Sequence, residues 1–219
     1  MTSSIPPGGR VTASARPRFY RKGNDMTIAE KAGIDRWFNY ALFYEFIADK
    51  NFKKYAEVGV FKGHSISFLA QAIRNKKGVE IYGIDTWAAP EIKEMYDYNK
   101  KHWPEKIQDM ITEIQGESVE VAEQFEDGYL DFVFLDADHA YEAVKADILA
   151  WLPKVRKGGI LAGHDYVLSQ PGVTKAVNEL FGKNKKVQVD YDIEEHNING
   201  EYFLERFPKS YCWYVEKKV

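Results

Sequence analysis

Cysteine is nearly missing from this chain of 219 residues. The one present, Cys212, excludes any disulfide within the chain. Long apolar runs are missing too: no stretch approaches the roughly 18 residues that a membrane-spanning helix needs. The first residues lack the apolar core of a secretory signal. Neither sign of charge is in excess, with 30 Lys and Arg against 33 Asp and Glu and a formal net charge of -3. The pI is near 6.0, whereas a protein whose main business is nucleic acid carries a basic surface. Two nucleotide signatures are absent as well, the dinucleotide fingerprint G-x-G-x-x-G and the phosphate loop ending in GK[ST]. These absences leave a cytoplasmic enzyme or binding domain with no membrane and no nucleic-acid partner. The length suits one sizeable core rather than two.

Residues 1–26 differ in composition from the rest. MTSSIPPGGRVTASARPRFYRKGND is rich in Ser, Pro, Gly and Arg, and holds five basic residues against one acidic residue. It reads as a disordered tail, and Met26 is a candidate natural start. Residues 27–219 read as a single domain with an N-terminal helical extension. The extension centres on RWFNYALFYEFIADK, where Trp37, Ala41, Tyr44 and Ala48 recur at helical spacing. Aromatic residues on more than one face suit packing against the domain or a second copy. They also suit a wall of a substrate pocket or a membrane-surface helix.

From Asn51 onward, apolar strand patterns alternate with helical ones. KYAEVGV, VEIYGID, MITEIQG, YLDFVFLDA and GGILAGHDY read as strands, the last entered through a Gly-Gly turn. SISFLAQAIRN, ESVEVAEQF, YEAVKADILAWLPKV and residues 171–182 read as helices. This alternation predicts an α/β fold, a Rossmann-like and mostly parallel sheet flanked by helices. Residues 187–217 show several short strand-like runs with almost no helix signal, as an antiparallel edge pair would. Ligands of such sheets bind at the carboxyl ends of the strands. Glu57, Asp85, Asp136, His164 and Asp165 all fall at or near those ends.

The loop AEVGVFKGHS places Gly59 and Gly63 between a strand and a helix, the frame of a nucleoside-cofactor site, although two glycines also serve a plain tight turn. Asp85 lies 26 positions after Gly59. A carboxylate there can accept the hydroxyls of a ribose or cap the next segment.

In order and spacing these motifs, over residues 50–217, resemble class I S-adenosylmethionine-dependent methyltransferases. The family's first motif is similar to E-x-G-x-x-x-G-x-S, present as Glu57, Gly59, Gly63 and Ser65, and its acidic ribose position matches Asp85. A G-x-S element beside the adenine matches Gly116 and Ser118 in QGES. FLDADHAYEAVKADILAWLPKVRKGG and LAGHDY further resemble a metal-dependent subgroup that includes macrolide-sugar O-methyltransferases and CmcI-like proteins. That resemblance implies S-adenosylmethionine as cofactor, a small-molecule hydroxyl acceptor and a divalent cation, magnesium or manganese. It implies Asp136, His164 and Asp165 as metal positions and His139 as general base. The chain departs from the subgroup in carrying His-Asp where those relatives carry two carboxylates, and imidazole favours manganese, iron or zinc over magnesium.

Other readings stay open. His164 can orient a ligand instead of ligating, the carboxylates can be held by hydrogen bonds with no metal, and His139 can be a loop histidine bonded to Asp138. Asp138 itself can cap the helix near Tyr141. Residues 88–110 are a candidate lid, with Tyr96, Tyr98, His102 and Trp103 as candidate walls of an acceptor site. His64 is a candidate contact for the cofactor carboxylate. An NAD-dependent oxidoreductase and a non-catalytic nucleotide or nucleotide-sugar binding protein are the rival functions. A homo-oligomer built through the aromatic N-terminal helix is a candidate assembly.

Overall fold

Valine, isoleucine and aromatic residues fill the central strands, and their burial on both faces dictates helices above and below the sheet. The computed structural model describes residues 38–198 and 201–218. The expected tail, the start at Met26 and Trp37 lie outside the described residues. The elements run α1 (Ala41–Ala48), β1 (Lys54–Val58), α2 (His64–Ile73), β2 (Glu80–Asp85), α3 (Pro90–Lys101), α4 (Glu105–Asp109), β3 (Ile111–Gln115), α5 (Ser118–Ala122) and β4 (Leu130–Leu135). They continue as α6 (Tyr141–Trp151), β5 (Val155–Gly163), α7 (Pro171–Phe181), β6 (Lys186–Ile198) and β7 (Glu201–Glu216). No helix among the described residues is long and apolar enough to cross a membrane.

The seven strands form one sheet in the order β3-β2-β1-β4-β5-β7-β6. The first five are parallel, and β7 runs antiparallel to both β5 and β6. The fold is therefore the expected one: Rossmann-like, mostly parallel, with an antiparallel edge pair. All six residues of β4 are buried, as its unbroken apolar run requires. The chain order reverses between β1 and β4, so the switch point of the sheet lies over the ends of those two strands.

Three local expectations need correction. β5 begins at Val155, upstream of Gly158 and Gly159. The glycine pair is not an entrance turn; it sits within the strand where the β4–β5 register shifts, as a bulge does. The edge consists of two long strands of 13 and 16 residues rather than several short ones. The first described helix is also shorter than the periodic pattern, because Tyr40 already has a non-helical backbone and acts as its N-cap residue. α1 buries Phe43, Tyr44 and Ile47, with the Phe43 ring near Phe132, Phe134 and Tyr214. Its buried aromatic side chains thus pack on the chain's own sheet.

Candidate active site

The site grows out of the sheet's hydrogen-bond ladder, continued by one rung past the strand ends. The amide of Gly59 donates to Ile84 O, that of Asp136 to Val58 O, that of Gly116 to Asp85 O and that of His164 to Leu135 O. Four loops distant in sequence are fixed at one level in this way. They line a single cleft of about 970 Å³, at the upper end of the range for small-molecule sites. Gly59, Ser65, Asp85, Gly116, Ser118, Asp136, His139, His164 and Asp165 all reach it.

On one side stands the glycine loop. Gly59 has φ +90°, and a Cβ there would lie 2.0 Å from Asp136 O. Only glycine permits both the backbone angle and the approach. Gly63, at φ +83°, faces the rings of Trp103 and Tyr96, which a Cβ would meet at 2.8 Å. Asp85 is held by two backbone amides, with Phe61 N donating to Oδ2 at 2.8 Å and Trp87 N to Oδ1 at 2.8 Å. Both donors come from residues in the left-handed region, Phe61 at φ 53° and Trp87 at φ 40°. Unfavourable backbone angles for two aromatic residues, clustered on one carboxylate, mark a site whose geometry is over-determined by its surroundings.

Glu57 does not reach the cleft. It is buried beneath it, accepting hydrogen bonds from Tyr44 Oη at 2.7 Å and from Ser65 Oγ. Burial pushes its carboxyl up to about 8, despite the two hydroxyls that favour the charged form.

On the other side stand the acids and histidines. His139 Nε2 lies 3.5 Å from Asp136 Oδ1 and 3.2 Å from Asp165 Oδ2. His164 Nδ1 lies 3.7 Å and 3.4 Å from the same two oxygens. Asp165 adopts φ 54°, a further left-handed residue at the cleft. Burial alone would raise the Asp136 carboxyl, but the two imidazoles outweigh it and hold it down at about 2. Burial disfavours the His164 imidazolium, yet Asp136 and Asp165 push its pKa up to about 9. The Asp136 carboxylate beside it, together with the charge of Asp165, raises that of His139, against its own burial.

Whether this cluster suits a metal can be tested on its donors. One atom each from Asp136, His139 and Asp165 lies within 4.8 Å of the other two. His139 Nε2 is buried and makes no hydrogen bond, although two carboxylate oxygens are beside it. A lone nitrogen facing two hard oxygens fits a divalent cation. His139 joins Asp136 and Asp165 in this grouping, and His164 Nδ1 faces the same two carboxylate oxygens. The other ring nitrogen of His164, Nε2, is 3.1 Å from Asn39 Oδ1 and 2.9 Å from Ser210 Oγ. Asp138 is bonded neither to His139 nor as the cap of α6: its Oδ1 accepts from Ala140 N at 2.8 Å, and the N-cap position of that helix is Ala140 itself.

The residues of the candidate lid form α3 and α4, and the four aromatic or histidine walls expected there do not line the cleft. Tyr96 is fully buried between Trp87 and Trp103, beneath Gly63, while Tyr98 is largely exposed and packs on His102. His64 does line the cleft, with Nε2 3.2 Å from Asn99 Nδ2. Phe38, Asn39 and Tyr40 line the cleft as well, so the segment offered as a pocket wall supplies one, although none of the three was singled out. Their only signal was the aromatic density that also suited packing. Asp147 was missed as well. It lines the cleft, and burial pushes its carboxyl up to about 6 even though Ser118 bonds it.

A Rossmann-like sheet with glycine loop, strand-end carboxylate and acid–histidine cluster over one switch point defines an α/β transferase-type site. The chain belongs to the methyltransferase-domain family, whose pattern matches residues 56–166, just over half of its length. An uncharacterised protein of Acanthamoeba polyphaga mimivirus is 28% identical over 138 residues, covering 60% of this chain and 61% of that protein. An uncharacterised protein of Sinorhizobium fredii is 25% identical over 126 residues, covering 55% of this chain but 14% of that one. The chain therefore spans less than two thirds of either relative.

Among solved structures, an S-adenosylmethionine-dependent O-methyltransferase from Thermotoga maritima superposes with TM-score 0.62 at 16% identity, over 82% of this chain and 64% of that one. Precorrin 8W decarboxylase from Methanobacterium thermoautotrophicum gives 0.58 at 15%, over 81% and 89%. The O-methyltransferase TomG from Streptomyces achromogenes gives 0.59 at 13%, over 81% and 78%. Identities this low establish a shared fold and leave the chemistry to the site.

Proposed function

We propose that this chain is an S-adenosylmethionine-dependent O-methyltransferase acting on a small-molecule hydroxyl, assisted by a divalent cation at Asp136, His139 and Asp165. One observation carries the proposal: the glycine loop and the acid–histidine cluster touch through Gly59 and Asp136. A cofactor on one and an acceptor on the other are then brought into reacting distance by the backbone.

The charge of the cleft argues against the rivals. Asp85, Glu117, Asp136, Asp138, Asp147 and Asp165 line it, with Lys62 as its lysine. Such a wall repels a pyrophosphate, which disfavours NAD and nucleotide-sugars, and favours a cationic sulfonium and a metal ion.

S-adenosylmethionine supplies an electrophilic methyl group. Asp85 accepts the ribose hydroxyls, its orientation set by the amides of Phe61 and Trp87. Gly116 and Ser118 border the adenine. A bound divalent cation would lower the pKa of the acceptor hydroxyl. Asp136, His139 and Asp165 hold that ion, and adjacent hydroxyls, as in a sugar or catechol, are the matching acceptor. In a form without metal, His139 Nε2 is instead the base that receives the hydroxyl proton, since both carboxylates stabilise the resulting imidazolium.

Calorimetry with S-adenosylhomocysteine and with NAD tests the cofactor, and binding of NAD alone would refute the assignment. Removal of metal with a chelator tests the ion. Turnover should vanish and return with manganese or magnesium. Full turnover in chelator would leave His139 as base, and a His139→Ala variant should then lose about 100- to 10,000-fold.

A further inference from the structure

The segment before the first strand contributes more than packing. Phe38, Asn39 and Tyr40 line the cleft in succession, and Tyr40 reaches the acid–histidine cluster. Its Oη donates to Asp136 Oδ2 at 3.1 Å. The other oxygen of the same carboxylate, Oδ1, faces His139 and His164. The carboxylate is therefore held from both sides, with one oxygen tied to the phenol and the other turned toward the cluster.

Tyr40 has little freedom to do otherwise. Its ring sits 4.5 Å from that of His164 and 5.0 Å from that of Phe134. Phe38 and Tyr44 meet it edge-on, at 84° and 81°. Its carbonyl accepts the amides of Phe43 and Tyr44 at the start of α1, so the backbone that delivers the phenol is anchored as well. Burial and the Asp136 charge keep the phenol protonated, and hence a donor. Next to it, Asn39 meets His164 from the far side of the ring.

We propose that Tyr40 is a positioning residue for the metal-binding carboxylate: it fixes the rotation of Asp136 and thereby sets the affinity of the cluster for a divalent cation. This rests on the reading of Asp136, His139 and Asp165 as an ion site. A phenol outside a ligand set that orients a ligating carboxylate is typically worth 10- to 100-fold in metal affinity.

The test is manganese binding to the full chain, followed by electron paramagnetic resonance of free Mn²⁺, in wild type and Tyr40→Phe. That substitution keeps the ring and removes only the hydroxyl. Mn²⁺ should bind about 10- to 100-fold more weakly to the variant, with S-adenosylhomocysteine affinity and melting temperature unchanged. Tyr55→Phe, which removes another buried phenol that donates to Phe52 O and accepts from Lys76 Nζ, should bind Mn²⁺ as wild type does. Equal Mn²⁺ affinity in wild type and Tyr40→Phe overturns the role of Tyr40 and leaves the ion site standing. Failure of wild type to bind Mn²⁺ removes the ion site and this role together. A parallel loss of S-adenosylhomocysteine affinity in Tyr40→Phe would make the phenol a general structural element and overturn the proposal.

Discussion

Strand β4 carries an aspartate near each end, Asp131 and Asp136, and the two live in different company. Asp131 accepts the amides of Lys53 and Lys54, each at 2.8 Å, and pairs with Arg156 at 2.5 Å. Its three bonds come from two backbone amides and a guanidinium, and the group is a clamp at the amino edge of the sheet. Asp136 at the carboxyl edge meets two imidazoles and a phenol, and it opens onto a cleft. Stability is concentrated at one end of the strand and chemistry at the other. The division follows from the parallel sheet, whose carboxyl ends converge where the chain order reverses.

Four measurements bear on that division. Asp136→Asn should cut turnover by about a thousandfold, matching the several kcal/mol an ion contributes, while the fold and S-adenosylhomocysteine affinity are retained. A variant that unfolds instead would make Asp136 a second clamp. Asp131→Ala should do the opposite. Chemical denaturation should show a loss of about 2 to 4 kcal/mol, since two amides and a guanidinium lose a partly buried partner, with turnover per folded molecule unchanged.

Asp85→Ala should separate the two sides of the cleft. Titration calorimetry should find cofactor binding weaker by about 1 to 3 kcal/mol and Mn²⁺ affinity as in wild type. Equal loss of both would show that the sides are energetically one.

The last measurement concerns Glu57, beneath the glycine loop. Its folded pKa is raised to about 8 by burial, whereas an unfolded glutamate titrates near 4.3. Between those values the folded state binds the extra proton, so stability falls as pH rises through that window and levels off above it. Melting temperature should decline from pH 5 to pH 8.5, and Glu57→Gln, which mimics the protonated acid, should flatten the slope. An unchanged slope would show that another group carries it.

The parallel half of the fold and the carboxyl-edge residues were legible because apolar runs ended abruptly in Asp, Gly or His. Alternation alone placed Asp85, Asp136 and Asp165 on one edge. That both His139 and His164 face the same two carboxylates was only partly legible: both follow strand ends, and how near each nitrogen comes to Asp136 and Asp165 depends on loop geometry. Phe38–Tyr40 was legible only as one option among several. A segment crowded with aromatic residues has the same pattern whether it lies on a core or on a cleft. The length of β6 and β7 was obscured because edge strands alternate weakly and their pairing depends on each other rather than on the central sheet.

The contact between Gly59 and the carbonyl of Asp136 has a practical meaning for anyone wishing to retarget the molecule. The spacing between donor and acceptor pockets is written in main-chain atoms, so exchanging side chains leaves it alone. Gln170 and Val119 on the wall are then positions for a library that explores new acceptors at constant reaction geometry. Insertions or deletions in either loop would shift the two pockets against each other, and a library should spare them.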